Sequence, residues 1–129
     1  MPHTLTDAGL AFATERHLAT LSTHAADGSI HVVPVGFTIV SGTARIITSG
    51  SSQKVRNIRA RQHATISQVD GARWLTLVGT GRVVDDAESV AEAVGLYAER
   101  YRQPRVNPHR VAILIEITKA MGSRGMIAD

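Results

Sequence analysis

The chain has 129 residues, a formal net charge of +3 and no cysteine. It is therefore read as one domain, residues 1–129, with room for a core and no disulfide framework, thiolate metal site or thiol nucleophile. The aromatic residues are Phe12, Phe37, Trp74, Tyr97 and Tyr101, too few for the stacking platform of a single-strand nucleic-acid binder.

Met1-Pro2-His3-Thr4 is not the basic start of a signal peptide, and no run nears the roughly 18 apolar residues of a membrane span. The expected setting is the cytoplasm, with neither membrane nor nucleic acid as partner. Thr6 and Asp7 read as a helix start, with Leu10, Phe12 and Ala13 giving an apolar side up to Arg16. A strand follows over 17–24, then a hairpin turn at Ala26-Asp27-Gly28. The next strand spans 29–40. It is apolar on both faces, with His31, Val33, Val35, Phe37 and Ile39 on one and Ile30, Val32, Pro34 and Gly36 on the other. Pro34 cannot donate to a ladder and marks an edge or a bulge. Two readings stand for this strand: a wall for a flat ligand, or a central strand buried on both sides.

Ser41-Gly42 turns the chain into a third strand over 43–49. A Gly/Ser turn and a short helix over 52–61 come next, with Val55 and Ile58 inward. Lys54 then sits near a helix N-terminus, where the macrodipole disfavours a cation. An anion docked there removes the conflict, because free N–H groups, hydroxyls and a lysine make a phosphate cradle. On this stretch alone, a capped surface helix with a solvated lysine is an equal account.

A fourth strand covers 63–69, Asp70-Gly71 signals a turn, and a long fifth strand covers 73–84. Gly79 and Gly81 share one of its faces and invite a bend or a close approach. Asp85, Asp86 and Glu88 open a helix at its favourable end, and Val90, Val94, Tyr97 and Tyr101 define its core-facing stripe. Pro104 and Pro108 punctuate a loop before the last strand over 109–119. Six antiparallel strands with two to three short helices give a mainly β (α+β) chain, folded as a closed or partly open barrel.

Basic residues cluster at Lys54, Arg56, Arg59 and Arg61 and again at Arg100, Arg102, Arg105 and Arg110, which points to an anionic partner. The histidines at 3, 17, 24, 31, 63 and 109 lack metal-ligand spacing, and no metal is expected. No dedicated general acid or other catalytic side chain stands out. Trp74 reads as a core or interface residue or as a ring beside a planar ligand.

Taken together, residues 15–19, 31–37, 47–54, 67–75 and 101–108 resemble the pyridoxamine-phosphate-oxidase-like split barrels of actinobacteria that use the deazaflavin coenzyme F-420. The run Ser67-Gln68-Val69-Asp70-Gly71-Ala72-Arg73-Trp74-Leu75 is its most specific part. The resemblance implies a homodimeric six-stranded split β-barrel of the FMN-binding type. It implies that Thr48, Ser49, Gly50, Ser52, Lys54 and Asn57 hold the coenzyme phosphate, and that His31, Val32, Val33, Pro34 and Val35 line its ring. Gly71, Ala72, Arg73 and Trp74 would reach in, from the partner subunit, and Arg73 or Arg110 would bind the acceptor. The implied activity is hydride transfer from reduced coenzyme F-420 to a conjugated small molecule, in the nearest members biliverdin. The alternatives are reduction of quinones or enones, FMN in place of F-420, or binding of a deazaflavin or tetrapyrrole without turnover. Pro34, Ser51 and the tail from Gly122 depart from the nearest members, which bears on the acceptor more than on the coenzyme.

Overall fold

The computed structural model describes residues 4–128. In chain order the elements are β1 (Thr4–Leu5), α1 (Asp7–Thr14), β2 (Ala19–His24), β3 (Ile30–Val35), β4 (Thr38–Val40) and β5 (Thr43–Ser49). Then come α2 (Gln53–Arg61), β6 (His63–Asp70), β7 (Arg73–Val84), α3 (Ala87–Arg100), β8 (Arg110–Gly122) and β9 (Ile127–Ala128). Seven strands form one sheet in the order β3-β2-β6-β7-β8-β5-β4, and β1 pairs with β9 separately. Every pairing is antiparallel. No described helix is long and apolar enough to cross a membrane.

The expected six strands become nine for two reasons. The expected strand over 29–40 breaks at Gly36-Phe37 into β3 and β4, which lie at opposite edges of the sheet. The chain itself thus carries one edge across to the other, and no ladder among the described residues joins them. The second reason is β1 and β9, two residues each, held to one another from opposite ends of the chain.

At the crossing, Phe37 has no strand neighbour, yet a buried backbone group needs a partner. Consecutive side chains at the end of α3 supply it. The Phe37 N–H donates to the Tyr101 hydroxyl at 3.2 Å, and the Phe37 carbonyl accepts from the Arg100 guanidinium. Gly36 lets the two tyrosines close in, since a Cβ there would lie 3.0 Å from both the Tyr97 and the Tyr101 rings.

Phe12, Leu21, Phe37, Ile46, Ile66, Leu75, Leu77, Ile113 and Ile115 fill the inside of the sheet, each contributing roughly 1.5–3 kcal/mol by leaving water. Val111 to Ile115 are all buried because α3 covers the outer side of β8, placing Ala93 on Ala112 and Leu114. The buried residues of α3 are Ala93 and Arg100, not the expected Val90, Val94, Tyr97 and Tyr101 stripe, whose members are only half-buried. Gly79 lies where a Cβ would meet the Glu116 carbonyl at 2.1 Å, beside the β7 bulge between Val78 and Gly79. Gly81 lies beneath Ile58 of α2. Both glycines thus serve close backbone and helix approach.

Candidate functional site

Two of the three helices are capped by their own side chains. The Thr6 hydroxyl accepts from the Gly9 N–H in α1, and the Asp86 carboxylate from the Ser89 N–H in α3. The helix α2 differs. Its N-cap Ser52 has extended backbone but no capping bond, and its hydroxyl accepts from Thr48 at 3.4 Å. The first turn of α2 therefore lacks a side-chain cap at the positive end of the helix dipole, and its Lys54 lines an open cavity of about 360 Å³.

That cavity is lined by Pro34, Val35 and Gly36 at the end of β3, by Ile47, Thr48 and Ser49 at the end of β5, and by Lys54 of α2. Tyr97, Pro104, Asn107 and Arg110 complete the wall. Pairing of Ser49 with Arg110 joins the ends of β5 and β8 at this spot. Asn107 donates to the Ser49 hydroxyl at 2.9 Å and so fixes the loop over the turn. The Arg110 guanidinium donates to the Arg105 carbonyl at 2.6 Å, bracing the same loop from its other end. Gly50 lies in a shallower adjoining depression with Ser49, Ser51, Asn107 and His109, its own N–H spent on the His109 carbonyl.

No carboxylate lines the cavity. Lys54 is half-buried there, and burial pushes its ammonium pKa down. Among the described residues it has no acidic partner. A desolvated lysine, an uncapped helix start and a second cation, Arg110, with no acid paired to either, fit a phosphorylated ligand. Further along β3, the His31 Nδ1 is buried without a hydrogen-bond partner among the described residues. His31 and Val33 share the inward face of β3 with Val35 but do not line the cavity.

The expected residues divide. Pro34, Val35, Thr48, Ser49, Lys54 and Arg110 meet at the cavity, with Gly50 and Ser52 at its lip. Val32 projects on the opposite, exposed side of β3. Asn57 faces the core, 1% exposed, and is a correction to the phosphate set. Its amide donates to Thr23 at 3.1 Å and accepts from Gln53 at 2.8 Å, so both ends are used inside the protein. Gly71, Ala72, Arg73 and Trp74 form the β6–β7 hairpin and do not line the cavity of their own chain. Arg73 is held by Asp70 at 2.7 Å and Glu15 at 3.4 Å, and lies over the Phe12 ring.

The basic clusters are also reassigned in part. Arg100 is only 8% exposed. It donates to the Glu15 carbonyl, the Phe37 carbonyl and the Gln68 amide oxygen, and stacks over Phe37. Arg56 and Arg61 donate to the backbone carbonyls of Ser51 and His24. These three arginines hold the fold together. The sequence reading missed Gly36, Ile47, Tyr97, Pro104 and Asn107 as cavity residues. Asn107-Pro108 beside a lysine turn is the one local signal that marks the loop as structured rather than free.

Residues 5–122 match the family described as pyridoxamine 5'-phosphate oxidase. The chain is 50% identical over 125 residues to the F-420-dependent biliverdin reductase of Mycobacterium tuberculosis (strain CDC 1551 / Oshkosh), covering 95% of this chain and 91% of that one. A conserved hypothetical protein of Mycobacterium tuberculosis shares the fold at a TM-score of 0.81 and 20% identity, over 94% of this chain and 86% of its own. A structure named as an F-420 reductase does so at 0.74 and 24% identity, over 86% and 94%. This chain belongs to the pyridoxamine 5'-phosphate oxidase family.

Proposed function

We propose that this protein transfers a hydride from reduced coenzyme F-420 to biliverdin, which takes up one proton from solvent to give bilirubin. The observation that carries the reading is the uncapped start of α2, with Lys54, opening into a cavity walled by Pro34, Val35 and Ile47. A phosphate seat beside an apolar wall suits a phosphorylated, flat cofactor. The relative's activity and the 50% identity narrow that class to a deazaflavin.

The coenzyme supplies the hydride chemistry when bound. The chain's own residues bind and orient. Lys54, the α2 N–H groups, Thr48, Ser49 and Ser52 hold the phosphate. Pro34 and Val35 flank the ring, with the β3 residues His31 and Val33 behind them. Pro104 and Tyr97 exclude water from one side of the cavity. Fixing two flat partners face to face contributes through proximity and orientation.

A homodimer completes this reading. The outward residues of β3, β6 and β7 include Val32, Val69 and Trp74, all exposed. Such a patch on a small chain marks an interface. The Gly71–Trp74 hairpin, remote from its own cavity, then reaches the partner's.

Anaerobic mixing of the protein with reduced coenzyme F-420 and biliverdin tests the activity. Bilirubin and oxidised coenzyme forming one to one is the expected result. Absence of bilirubin, or equal rates with reduced FMN, would overturn the reading.

A further inference from the structure

Next to the cofactor cavity lies a second groove of about 490 Å³, lined by Arg16, Leu18, Tyr97, Tyr101 and Arg102. Tyr97 lines both spaces and is their common wall. The floor of the groove is held in place. The Tyr101 hydroxyl donates to the His17 carbonyl at 2.6 Å and accepts from the Phe37 N–H at 3.2 Å. The Tyr97 and Tyr101 rings pack with centroids 4.8 Å apart. Leu18 stands 67% exposed at the side, an apolar surface with no partner in its own chain.

The charges around the groove are unevenly committed. Glu15 is engaged by His17 and Arg73, Arg73 also by Asp70, and Arg100 by backbone carbonyls below. Arg16 and Arg102 are both exposed and have no ion-pair partner among the described residues. Two free guanidinium groups flank an aromatic and aliphatic platform that abuts the cofactor cavity. Arginine suits this task, because its planar fork binds carboxylates bidentately and stacks on flat surfaces.

We propose that this groove is the acceptor subsite for a flat, conjugated dicarboxylate, with Arg16 and Arg102 each holding one carboxylate and Tyr97, Tyr101 and Leu18 carrying the conjugated body. The inference rests on the proposed activity for the choice of acceptor. It replaces Arg73 and Arg110, which are tied to Asp70, Glu15 and the Arg105 carbonyl, as the carboxylate-binding residues. Contact with Tyr97 puts one edge of the bound acceptor beside the cofactor cavity, where transfer requires it.

The test is an absorbance titration of biliverdin and of its dimethyl ester into the purified protein without coenzyme. It is run on the wild type and on the Arg16→Ala/Arg102→Ala double variant, with coenzyme F-420 titrated into both. Two charge-assisted contacts of about tenfold each predict that the wild type prefers the free acid about a hundredfold and that the double variant binds both alike. Unchanged biliverdin affinity in the double variant would overturn the proposal, as would equal binding of acid and ester by the wild type. Loss of coenzyme affinity instead of biliverdin affinity would also overturn it and hand the groove to the coenzyme. Thermal melting of both proteins, and of the Arg16→Lys/Arg102→Lys variant, separates these outcomes from misfolding. Failure of turnover with intact discrimination would sink the activity and leave the groove standing.

Discussion

At the scale of single residues, the site is built from groups left deliberately unsatisfied by their own chain. Lys54 is desolvated with no carboxylate near it, Ser52 leaves its helix uncapped, and the His31 Nδ1 has no partner among the described residues. Under the proposed function, an anion beside Lys54 and the start of α2 would offset the cost of the first two. Elsewhere, charges are satisfied conventionally. Hydrogen bonds from His17 and then from Arg73 hold the Glu15 carboxyl below its ordinary pKa of 4.5. The folded state therefore binds that proton less tightly than the unfolded state. The stabilisation is fully present above pH 4.5 and is lost as pH falls through the lowered folded value. Glu15→Gln is expected to melt below the wild type at pH 7, and the gap is expected to close under acid conditions. Melting curves between pH 3 and 7 check this, and a gap that stays constant would show that Glu15 acts through packing alone.

At the scale of elements, the crossing at Gly36-Phe37 decides the architecture of the site. It sends the chain from one sheet edge to the other, lays Gly36 in the cavity wall, and recruits Arg100 and Tyr101 to satisfy the backbone. Gly36→Ala is expected to force Tyr97 and Tyr101 outward, with a stability loss of about 1–3 kcal/mol from overpacking and weaker coenzyme binding. Denaturant unfolding and a coenzyme titration measure the two effects, and an unchanged titration would remove Gly36 from the site. This crossing was also the least legible feature in the sequence. In the run from Ser29 to Val40, Pro34 signals an edge or a bulge, but apolar residues on both faces hide the break at Gly36-Phe37. The bonds that make the break tolerable come from residues over sixty positions away. The same holds for β1 and β9, whose two-residue strands exist only through pairing across the chain. By contrast, the hairpin turns at Gly28 and Gly71 adopt the positive φ expected of them. The helix after the Gly/Ser turn was legible too, with Lys54 in its first turn as expected. Asn57 was assigned by resemblance alone, and its contact with Thr23 is a tertiary one that no local pattern shows.

At the scale of the whole molecule, β3, β5, β8 and α2 contribute to the cavity, and the β6–β7 hairpin displays Trp74 outside it. In the proposed homodimer, a second copy of the chain would bring the two together. Val69, 68% exposed beside Trp74, is the natural place to break that contact. Val69→Asp is expected to run as a folded monomer with little turnover, and light scattering reads the mass. A dimer with full turnover would place the interface elsewhere. The most direct test of the whole account compares coenzyme F-420 with the same deazaflavin lacking its phosphate and tail, bound to the wild type and to Lys54→Met. The wild type is expected to prefer the phosphorylated form by at least about tenfold, the worth of one charge-assisted contact. Lys54→Met is expected to lose most of that preference while melting no lower than the wild type. Equal preference in both proteins would mean that the α2 turn does not hold the phosphate, and the reading of the site would fall with it.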